Sequence, residues 1–342
     1  MEIVPGLHQI KTPMPRPELP YVMAYAFRGG DGVTLFDSGF GTPEGTAALT
    51  EGLASIGHSP RDIRRLVISH SHPDHYGMAA WVKEQAPDSE LVMLDREWAW
   101  LEGREAGAGD WMARSDEWLT RHGMSLAEIE AGHRAEEARR PGGNSFQNVP
   151  PDRLLEDGEV LAVDGWELEA VWTPGHTPGH LCMFERRHRL MLTGDHVLPH
   201  ISPNVSLHSD QEGTSPLADF RRSLERVAAY DSALGLPAHE FTIADLPRRC
   251  RQLLHHHDDR LDEIARAAGE HAGPGATARD VAERVQWNTG RFADFPLMMQ
   301  RSAIGETLSH LQLLADEERI VRSEDDGASG PLVRWVQVRA RR

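Results

Sequence analysis

The sequence has few cysteines, few lysines and no long apolar run. Cys182 and Cys250 are the only cysteines among 342 residues, and neither belongs to a CxxC pair, so a disulfide framework is excluded. Cysteine use this sparse is typical of a reducing compartment. No stretch approaches the roughly 20 apolar residues that a membrane helix needs, and the N-terminal residues lack the pattern of a signal peptide. We therefore expect a soluble, cytoplasmic protein without a membrane span.

Positive charge is also scarce. The chain has 36 Lys and Arg against 53 Asp and Glu, which gives a net charge of −17, and Lys11 and Lys83 are the only lysines. Nucleic-acid binding takes most of its affinity from basic side chains on phosphates. The charge therefore argues against nucleic acid as a partner, although it leaves a local basic patch open. The length favours one large domain and a smaller one.

Strand and helix patterns alternate over the first hundred residues. The runs "GVTLFDSG" (residues 32–39) and "RRLVISH" (residues 64–70) predict short strands that end in turn or ligand residues. Between them, Leu49, Leu53 and Ile56 recur at the spacing of one helix face. This alternation is typical of an α/β fold.

The middle of the chain contains an insert and then more strands. Residues 96–150 are rich in Trp, Glu, Arg and Gly, and their three helical stretches predict an inserted helical segment. Three strand-like runs follow, and each leads into a loop that carries His or Asp. These runs are residues 166–172, 181–185 and 190–193.

The last hundred residues have a different pattern. The loops with ligand-type residues stop, and a long helix is followed by a second one that opens with Thr277 and Asp280 at capping-box spacing. A further helix and a polar hairpin complete the chain. We therefore predict a larger domain of residues 1–245 and a small helical domain with a wing of residues 246–342.

The segment "HSHPDH" concentrates metal-ligand side chains where a strand gives way to a helix. His70 and His72 lie two positions apart at the strand end, so their side chains can point to one side. Pro73 breaks the strand, and Asp74 and His75 begin the helix. One metal could take the first pair and a second metal the last pair. Imidazole and carboxylate suit zinc, and also iron or manganese.

Three later loops supply further candidates. They are His176 in "TPGHTPGH", Asp195 in "LTGDH" and His239 in "LPAHE". An open water position on a metal is the mark of a catalytic site. Two such sites are completed if one metal takes His70, His72 and His176, the other takes Asp74, His75 and His239, and Asp195 lies between them.

Together these motifs resemble the metallo-β-lactamase superfamily of dinuclear metallohydrolases. The match covers residues 2–243 and rests on HxHxDH, GHTPGH, GD and a final His in that order. The resemblance implies that residues 1–245 form an αββα sandwich that carries the catalytic site, with Asp37 of "FDSG" behind the ligands. The C-terminal part resembles the winged-helix-like appendage of one branch of the superfamily.

The resemblance also implies the chemistry. Two divalent cations, most simply zinc, would lower the pKa of a bridging water until it is hydroxide near neutral pH. The hydroxide would attack a carbonyl or phosphoryl centre, and the metals would hold the developing oxyanion. Asp74 would be the catalytic residue that orients the nucleophile and helps to pass a proton to the leaving group.

Several other side chains are open to two interpretations. His180 is expected to support or pack behind the ligands. The run "HHHDD" at residues 255–259 is expected to be a solvated helix face. The loop after Asp195 would border the active-site mouth. The insert could be a cover with its own core or a lid with an apolar acyl-binding wall. The pocket candidates from that loop and the insert are His200, Ser202, Asn204, Trp111, Trp118 and Met112.

Two functions are compatible with these sequence features. The first is hydrolysis of a small acyl substrate, with a thioester favoured and a lactone or ester as neighbours in the same chemistry. The alternative is a nuclease or phosphodiesterase whose winged-helix-like domain holds nucleic acid, but the helix stretch "SAIGETLSHLQLLADEE" (residues 302–318) of that domain contains no Arg or Lys. Under the first hypothesis, the C-terminal domain would pack on the core, shape the pocket or build a homodimer. A non-catalytic module is disfavoured by the complete ligand set.

Overall fold

A computed structural model describes residues 1–15, 19–106, 108–139, 147–163, 165–271, 274–327 and 330–338. No helix in these ranges is long and apolar enough to cross a membrane. The chain packs as two compact units. Unit 1 comprises residues 1–103, 144–203 and 222–251, and unit 2 comprises residues 104–143, 204–221 and 252–342.

Unit 1 is built on two β-sheets. In the first sheet, β1 to β4 are antiparallel and β4 to β7 are parallel. Its seven strands follow the order of the chain: β1 (Glu2–Val4), β2 (Leu7–Pro13), β3 (Tyr21–Arg28), β4 (Val33–Phe36), β5 (Ile63–Ile68), β6 (Glu90–Leu94) and β7 (Arg153–Leu155).

The second sheet has five strands in the order β12-β11-β10-β9-β8. Its pairs are antiparallel except for β11 and β12, which run parallel. The strands are β8 (Val160–Val163), β9 (Trp166–Trp172), β10 (Leu181–Glu185), β11 (Leu190–Gly194) and β12 (Leu234–Pro237).

The alternation of side chains along a strand explains how the layers stack. On β3, Met23, Tyr25 and Phe27 belong to the core that both sheets share, whereas Ala24 and Ala26 belong to the core on the outer face of the first sheet. Successive side chains of a strand point to opposite faces, so a strand buried on both faces is apolar at nearly every position. This explains why the central strands appear in the sequence as continuous apolar runs.

Helices cover the outer faces of both sheets. On the first sheet, α1 (Pro43–Ala54) contributes Leu49 and Leu53, and it begins at Thr42, whose hydroxyl accepts a hydrogen bond from the Gly45 amide. On the second sheet, the helix that carries Ser223 is attached to the loop after β9, because Ser223 Oγ donates a hydrogen bond to the Pro174 carbonyl. The predicted αββα sandwich is therefore confirmed. Its other helices are α2 (Pro73–Tyr76) and α3 (Ala79–Gln85). Three helices contribute to both units: α4 (Asp95–Ala106), α7 (Pro216–Ala228) and α8 (Leu246–Gly269).

Unit 2 is mainly helical. The capping box predicted at Thr277 is present, because its hydroxyl accepts from the Asp280 amide and the Asp280 carboxylate accepts from the Thr277 amide. The predicted hairpin is also present. Unit 2 contains α5 (Ala108–Arg121), α6 (Leu126–Arg139), α9 (Ala278–Ala282), α10 (Leu297–Asp316), β13 (Ile320–Gly327) and β14 (Gly330–Gln337).

The three helices predicted within residues 96–150 correspond to α4, α5 and α6. The predicted loop after them lies partly outside the described residues, because residues 140–146 are not among them. Each unit draws on three stretches of chain. A domain boundary at 245/246 and a winged-helix-like character of residues 246–342 stay predictions.

Unit 2 buries a histidine without hydrogen-bond partners. The side chain of His122 is 1% exposed, packs on Trp118 at a ring distance of 4.3 Å, and makes no hydrogen bond to any described residue through either ring nitrogen. Burial, with Arg121 and Arg322 nearby, lowers the pKa of His122 to about 3. A buried neutral imidazole must take up a proton on unfolding below its ordinary pKa.

We predict that His122 contributes to acid sensitivity. Its pKa is lower in the folded than in the unfolded state, so its contribution to stability is lost as the pH falls below about 6.5, by about 2 kcal/mol at pH 5. In His122→Leu the loss of stability between pH 8 and pH 5, measured by urea unfolding, should shrink by that amount. His255→Leu, at a side chain that is 78% exposed, is the control. An unchanged pH dependence in His122→Leu would contradict the prediction.

Candidate metal centre

The seven candidate ligands lie in loops that follow strands of unit 1. His70 and His72 follow β5, and Asp74 and His75 lie in the first turn of α2. The other loops begin after β9, β11 and β12 and supply one candidate each. These are His176, Asp195 and His239.

The structure brings these side chains into three overlapping groups. Within each group, one possible ligand atom per residue lies within 4.8 Å of the others. The groups share members, so they form one continuous cluster rather than separate sites. They are His70, His72 and His176; His70, His75 and Asp195; and Asp74, His75 and His239.

The first group fits a metal ion. His72 Nδ1 lies 3.0 Å from His70 Nε2 and also 3.0 Å from His176 Nε2. One imidazole nitrogen cannot form good hydrogen bonds with two others in this way, because it has a single proton or lone pair. Nitrogens that share a tetrahedral zinc ion at ordinary bond lengths lie about 3.3 Å apart. The observed spacing is therefore close to that of three ligands around one ion.

Asp195 faces both ends of the cluster. Its Oδ1 lies 3.3 Å from His239 Nε2 and 3.5 Å from His75 Nε2, and its Oδ2 lies 3.6 Å from His176 Nε2. Asp195 Oδ1 and His75 Nε2 are buried and make no hydrogen bond to any described residue. Such atoms are costly to bury unless something else satisfies them. Their positions fit a carboxylate shared between two cations.

Asp74 completes the far end of the cluster. Its Oδ2 lies 3.5 Å from His239 Nε2 and 3.8 Å from His75 Nε2. Its side chain is 18% exposed, against 12% for Asp195, so it is the more accessible of the two carboxylates.

Asp37, which the resemblance places behind the ligands, accepts a hydrogen bond from His75. Its Oδ2 accepts from His75 Nδ1 at 2.8 Å and from Ser69 Oγ at 2.9 Å, and its Oδ1 accepts from the Ser69 amide at 2.8 Å. A proton on Nδ1 leaves Nε2 free to act as a ligand, which is the usual role of a carboxylate behind a metal-binding histidine. Asp37 has a φ of 62°, a left-handed conformation in which Asp is one of the favoured residues.

His180 positions the backbone of Asp195. Its Nε2 accepts from the Asp195 amide at 3.2 Å, so Nδ1 carries the proton and donates to Thr173 Oγ1 at 2.8 Å. A Cβ at Gly194 would lie 2.8 Å from His180 Nε2, so glycine allows this close approach. The expectation of a supporting or packing role for His180 agrees with this geometry. The sequence analysis did not identify Ser69 or Thr173 as residues that support the candidate ligands. Each has only a hydroxyl group directly after a strand, which is not a distinctive pattern.

The charges of the cluster differ between its two ends. Burial, together with neighbouring histidines, lowers the pKa of His70 well below its ordinary value and the pKa of His72 to about 3. Burial also acts on His239, but Asp195 and Asp74 outweigh it and raise the pKa of His239 to about 10. Carboxylates likewise raise the pKa of His75. Neutral imidazole, the form that binds metal, thus already prevails at His70 and His72.

The pocket candidates are distributed over both units. In unit 1, the His200 side chain is 73% exposed and its amide donates to Glu240, while Ser202 Oγ makes a long contact of 3.4 Å with the Pro203 carbonyl. In unit 2, Asn204 Nδ2 donates to Glu306 Oε2 at 3.1 Å. Contact of any of these residues with a substrate stays a prediction.

Trp111 and Trp118 line one small cavity in unit 2. The cavity has a volume of about 30 Å³, and Leu119, Leu207 and Ile304 are among its other walls. This volume holds about one water molecule. Both tryptophans thus contribute to packing within unit 2, as expected of a cover with its own core. Met112 is 45% exposed. An acyl-binding role for the tryptophans stays a prediction.

The predicted solvated face at residues 255–259 is only partly present. His255 and Asp259 have side chains that are 78% and 73% exposed, but His257 is 1% exposed. His257 Nδ1 lies 3.2 Å from His310 Nε2, and its ring packs against Phe220. The prediction was wrong for His257 because α8 is packed on one side, and consecutive residues of a helix point in different directions.

Comparison with known proteins agrees with this geometry. The model of the metallo-beta-lactamase superfamily matches residues 18–239. The chain belongs to the metallo-beta-lactamase superfamily. This superfamily typically binds divalent metal ions, and the His and Asp cluster described above fits such ions.

Members of the superfamily from several bacteria resemble the chain over most of its length. "Probable metallo-hydrolase YqjP" of Bacillus subtilis is 25% identical over 309 residues, which cover 87% of this chain and 89% of that protein. A crystal structure of a metallo-beta-lactamase family protein from Thermus thermophilus is 29% identical with a TM-score of 0.77, covering 98% and 100% of the two chains. A beta-lactamase domain protein from Burkholderia ambifaria is 25% identical with a TM-score of 0.78, covering 99% and 93%.

We predict that two aspartates affect metal binding differently. Asp195 faces both ligand sets, so Asp195→Ala should weaken both ions, whereas Asp74→Ala should weaken only the ion held with His75 and His239. Losses of roughly tenfold or more in affinity are expected for disturbed ligands. Elemental analysis measures the metal content, and Co²⁺ titration of the metal-free protein measures the affinity for each ion. The exposed Asp88 supplies the control Asp88→Ala, and normal metal content in both site variants would refute the assignment.

Proposed function

We propose that this metallo-hydrolase holds two divalent ions and hydrolyses an ester-like acyl bond, with a thioester favoured over a lactone or simple ester. The observation that carries the proposal is the position of Asp195 between two ligand sets that share one cluster. One set would be His70, His72 and His176, and the other Asp74, His75 and His239.

Zinc is the metal that the ligands favour. The cluster offers five imidazoles, two carboxylates and no thiolate. Imidazole and carboxylate are common zinc ligands, although iron and manganese accept the same donors. With three protein ligands in each of the two sets, an ion bound there would keep coordination positions open, as catalytic sites require.

The roles of the protein's own groups follow from their positions. Divalent ions in such a site supply Lewis-acid chemistry and lower the pKa of water. His75 and His239 lower the pKa of the Asp74 carboxyl despite its burial, so Asp74 is a carboxylate near neutral pH. Being more exposed than Asp195, it can accept a hydrogen bond from the attacking water and pass a proton towards the leaving group. Asp37 keeps His75 in one tautomer.

A recess in unit 1 is our candidate site for the acyl chain, although none of the seven candidate ligands lines it. It has a volume of about 540 Å³ and reaches Pro73, which lies between the candidate ligands His72 and Asp74. Phe40 and Trp81 supply aromatic walls, Glu84 adds a carboxylate, and none of the described lining residues is Lys or Arg. Pockets of this size suit small molecules, and the absence of basic side chains from the lining suits an acyl chain better than a phosphate backbone.

The nuclease alternative gains no support from unit 2. The helix that would have to contact nucleic acid is α10, and many of its residues are buried, among them Leu308, His310 and Leu311. A nucleic-acid-reading helix instead needs an exposed basic face. We therefore propose a small molecule as the substrate.

A cytoplasmic location is part of the proposal. Cys182 and Cys250 are both free and buried, and burial raises the pKa of each thiol to about 12. Such thiols are poorly reactive, which fits a protein that uses no disulfide. We propose that the C-terminal part builds a homodimer, and gel filtration with light scattering tests this.

We predict that activity depends on acyl-chain length. If the recess binds the acyl chain, each added methylene should raise kcat/KM up to about fourfold, from about 0.8 kcal/mol of burial, until the recess is full. Trp81→Ala should flatten this series without loss of metal. Trp111→Ala, at the small cavity of unit 2, is the control. If the Trp111 variant flattens the series instead, the chain binds at the insert, and a flat series in the unmodified protein would contradict acyl specificity.

We also predict weak binding of nucleic acid. The motivation is the net charge of −17 and the buried α10. Each phosphate contact adds about one unit to the slope of log affinity against log salt concentration. Fluorescence anisotropy with single- and double-stranded RNA and DNA should show little binding at physiological salt. Tight binding with a steep slope would favour the nuclease alternative.

A further inference from the structure

A buried glutamate outside the ligand set joins two of the ligand loops. Glu97 lies in the first turn of α4, directly after β6, and its side chain is 0% exposed. None of the motifs identified in the sequence includes it. Burying a carboxylate without partners costs several kcal/mol. The hydrogen-bond partners of Glu97 therefore indicate which segments of the chain it holds in place.

One oxygen of Glu97 binds the first ligand loop. Oε1 accepts from the Ser71 amide at 2.7 Å and from Ser71 Oγ at 2.7 Å. Ser71 lies between His70 and His72. The backbone that carries both histidines is therefore attached to the carboxylate through its intervening residue.

The other oxygen binds the second ligand loop. Oε2 accepts from Thr177 Oγ1 at 2.7 Å and from the Gly179 amide at 3.1 Å. Thr177 directly follows His176. A Cβ at Gly179 would lie 2.0 Å from the Glu97 amide nitrogen, so the loop packs directly against the start of α4 in a way that only glycine permits.

One carboxylate thus spans the two loops whose three imidazole nitrogens converge. His72 Nδ1 lies 3.0 Å from His176 Nε2, although the two residues are 104 positions apart. We infer that Glu97 is a positioning residue that sets the distance between His72 and His176, and so the affinity of the site they form with His70. This inference rests on the ligand roles proposed above.

The hydrogen bonds make Glu97→Gln a sharp test. All four partners of the carboxylate act as donors. Two of them are backbone amides, which can donate a hydrogen bond but cannot accept one. A glutamine amide has one oxygen and one NH₂ group. In either orientation, its NH₂ group faces the amide of Ser71 or that of Gly179. The variant keeps the size of the side chain and breaks the attachment of one loop.

The start of α4 keeps a second contact in this variant. The Arg96 guanidinium stacks over the Trp172 ring, with its carbon 3.6 Å from the ring centroid. Glu102→Gln on the same helix makes the same chemical change at an exposed position and is the matched control.

The experiment is a Co²⁺ titration of metal-free protein, followed by visible absorption. The unmodified chain and Glu102→Gln should bind two ions. Glu97→Gln should bind one ion normally and the other roughly 10- to 100-fold more weakly, as is usual when a partner behind a ligand is lost. The weakened ion should be the one that remains in His239→Ala, so the double variant should lose tight binding altogether.

Two milder variants keep the test decisive if Glu97→Gln folds poorly. Ser71→Ala and Thr177→Val each remove one hydroxyl donor from opposite oxygens of Glu97. If Glu97 couples the loops, their effects on Co²⁺ affinity should be non-additive, because they act through one carboxylate. Additive effects would overturn the inference.

The remaining outcomes separate this inference from the proposed function. Two normally bound ions in Glu97→Gln would overturn the positioning role and leave the metal centre intact. An equal loss of both ions together with thermal stability would show a general structural role and would also overturn it. If the unmodified chain bound no ion, the proposed metal centre would fail, and the inference with it.

Discussion

Unit 1 is organised around a convergence of ligand atoms, two of which, Asp195 Oδ1 and His75 Nε2, are buried and make no hydrogen bond to any described residue. Five imidazoles and two carboxylates meet at the ends of strands, and the ring nitrogens of His70, His72 and His176 approach to 3.0 Å. Neighbouring lone pairs repel one another, and buried polar atoms without partners cost free energy. Divalent cations are the simplest counterpart for such a set of atoms.

The sandwich supplies the rigidity that this convergence requires. The ligands follow β5, β9, β11 and β12, which all place side chains in the core that both sheets share, and β5 also contributes to the core on the outer face of the first sheet. Packed cores of this kind resist displacement. The parallel pairing of β11 with β12 brings the loop of Asp195 and the loop of His239 to the same edge. The ligands therefore meet because the strands end together.

Polar groups behind the ligands have hydrogen-bond partners, whereas Asp195 Oδ1 and His75 Nε2, which face the cluster, have none among the described residues. Asp37 accepts three hydrogen bonds from Ser69 and His75. His180 links the Asp195 amide to Thr173, and Glu97 accepts four hydrogen bonds from two loops. A fully satisfied polar network is stiff, so it fixes the side chains whose remaining atoms face the cluster. The chemistry that we propose would therefore take place on the side of the ligands that faces away from this network.

The sequence by itself indicated an α/β class, through strand and helix periodicity, and the seven residues that meet in the cluster, through local spacing. The family and the αββα order of layers followed from the resemblance of those motifs to a known superfamily. Tertiary structure alone decided that residues 104–143 and 204–221 pack with residues 252–342 and that His257 is buried. It also decided that Glu97 contacts loops 26 and 80 positions away. These facts depend on contacts between distant segments, for which an isolated glutamate or histidine in a helix gives no periodic signal.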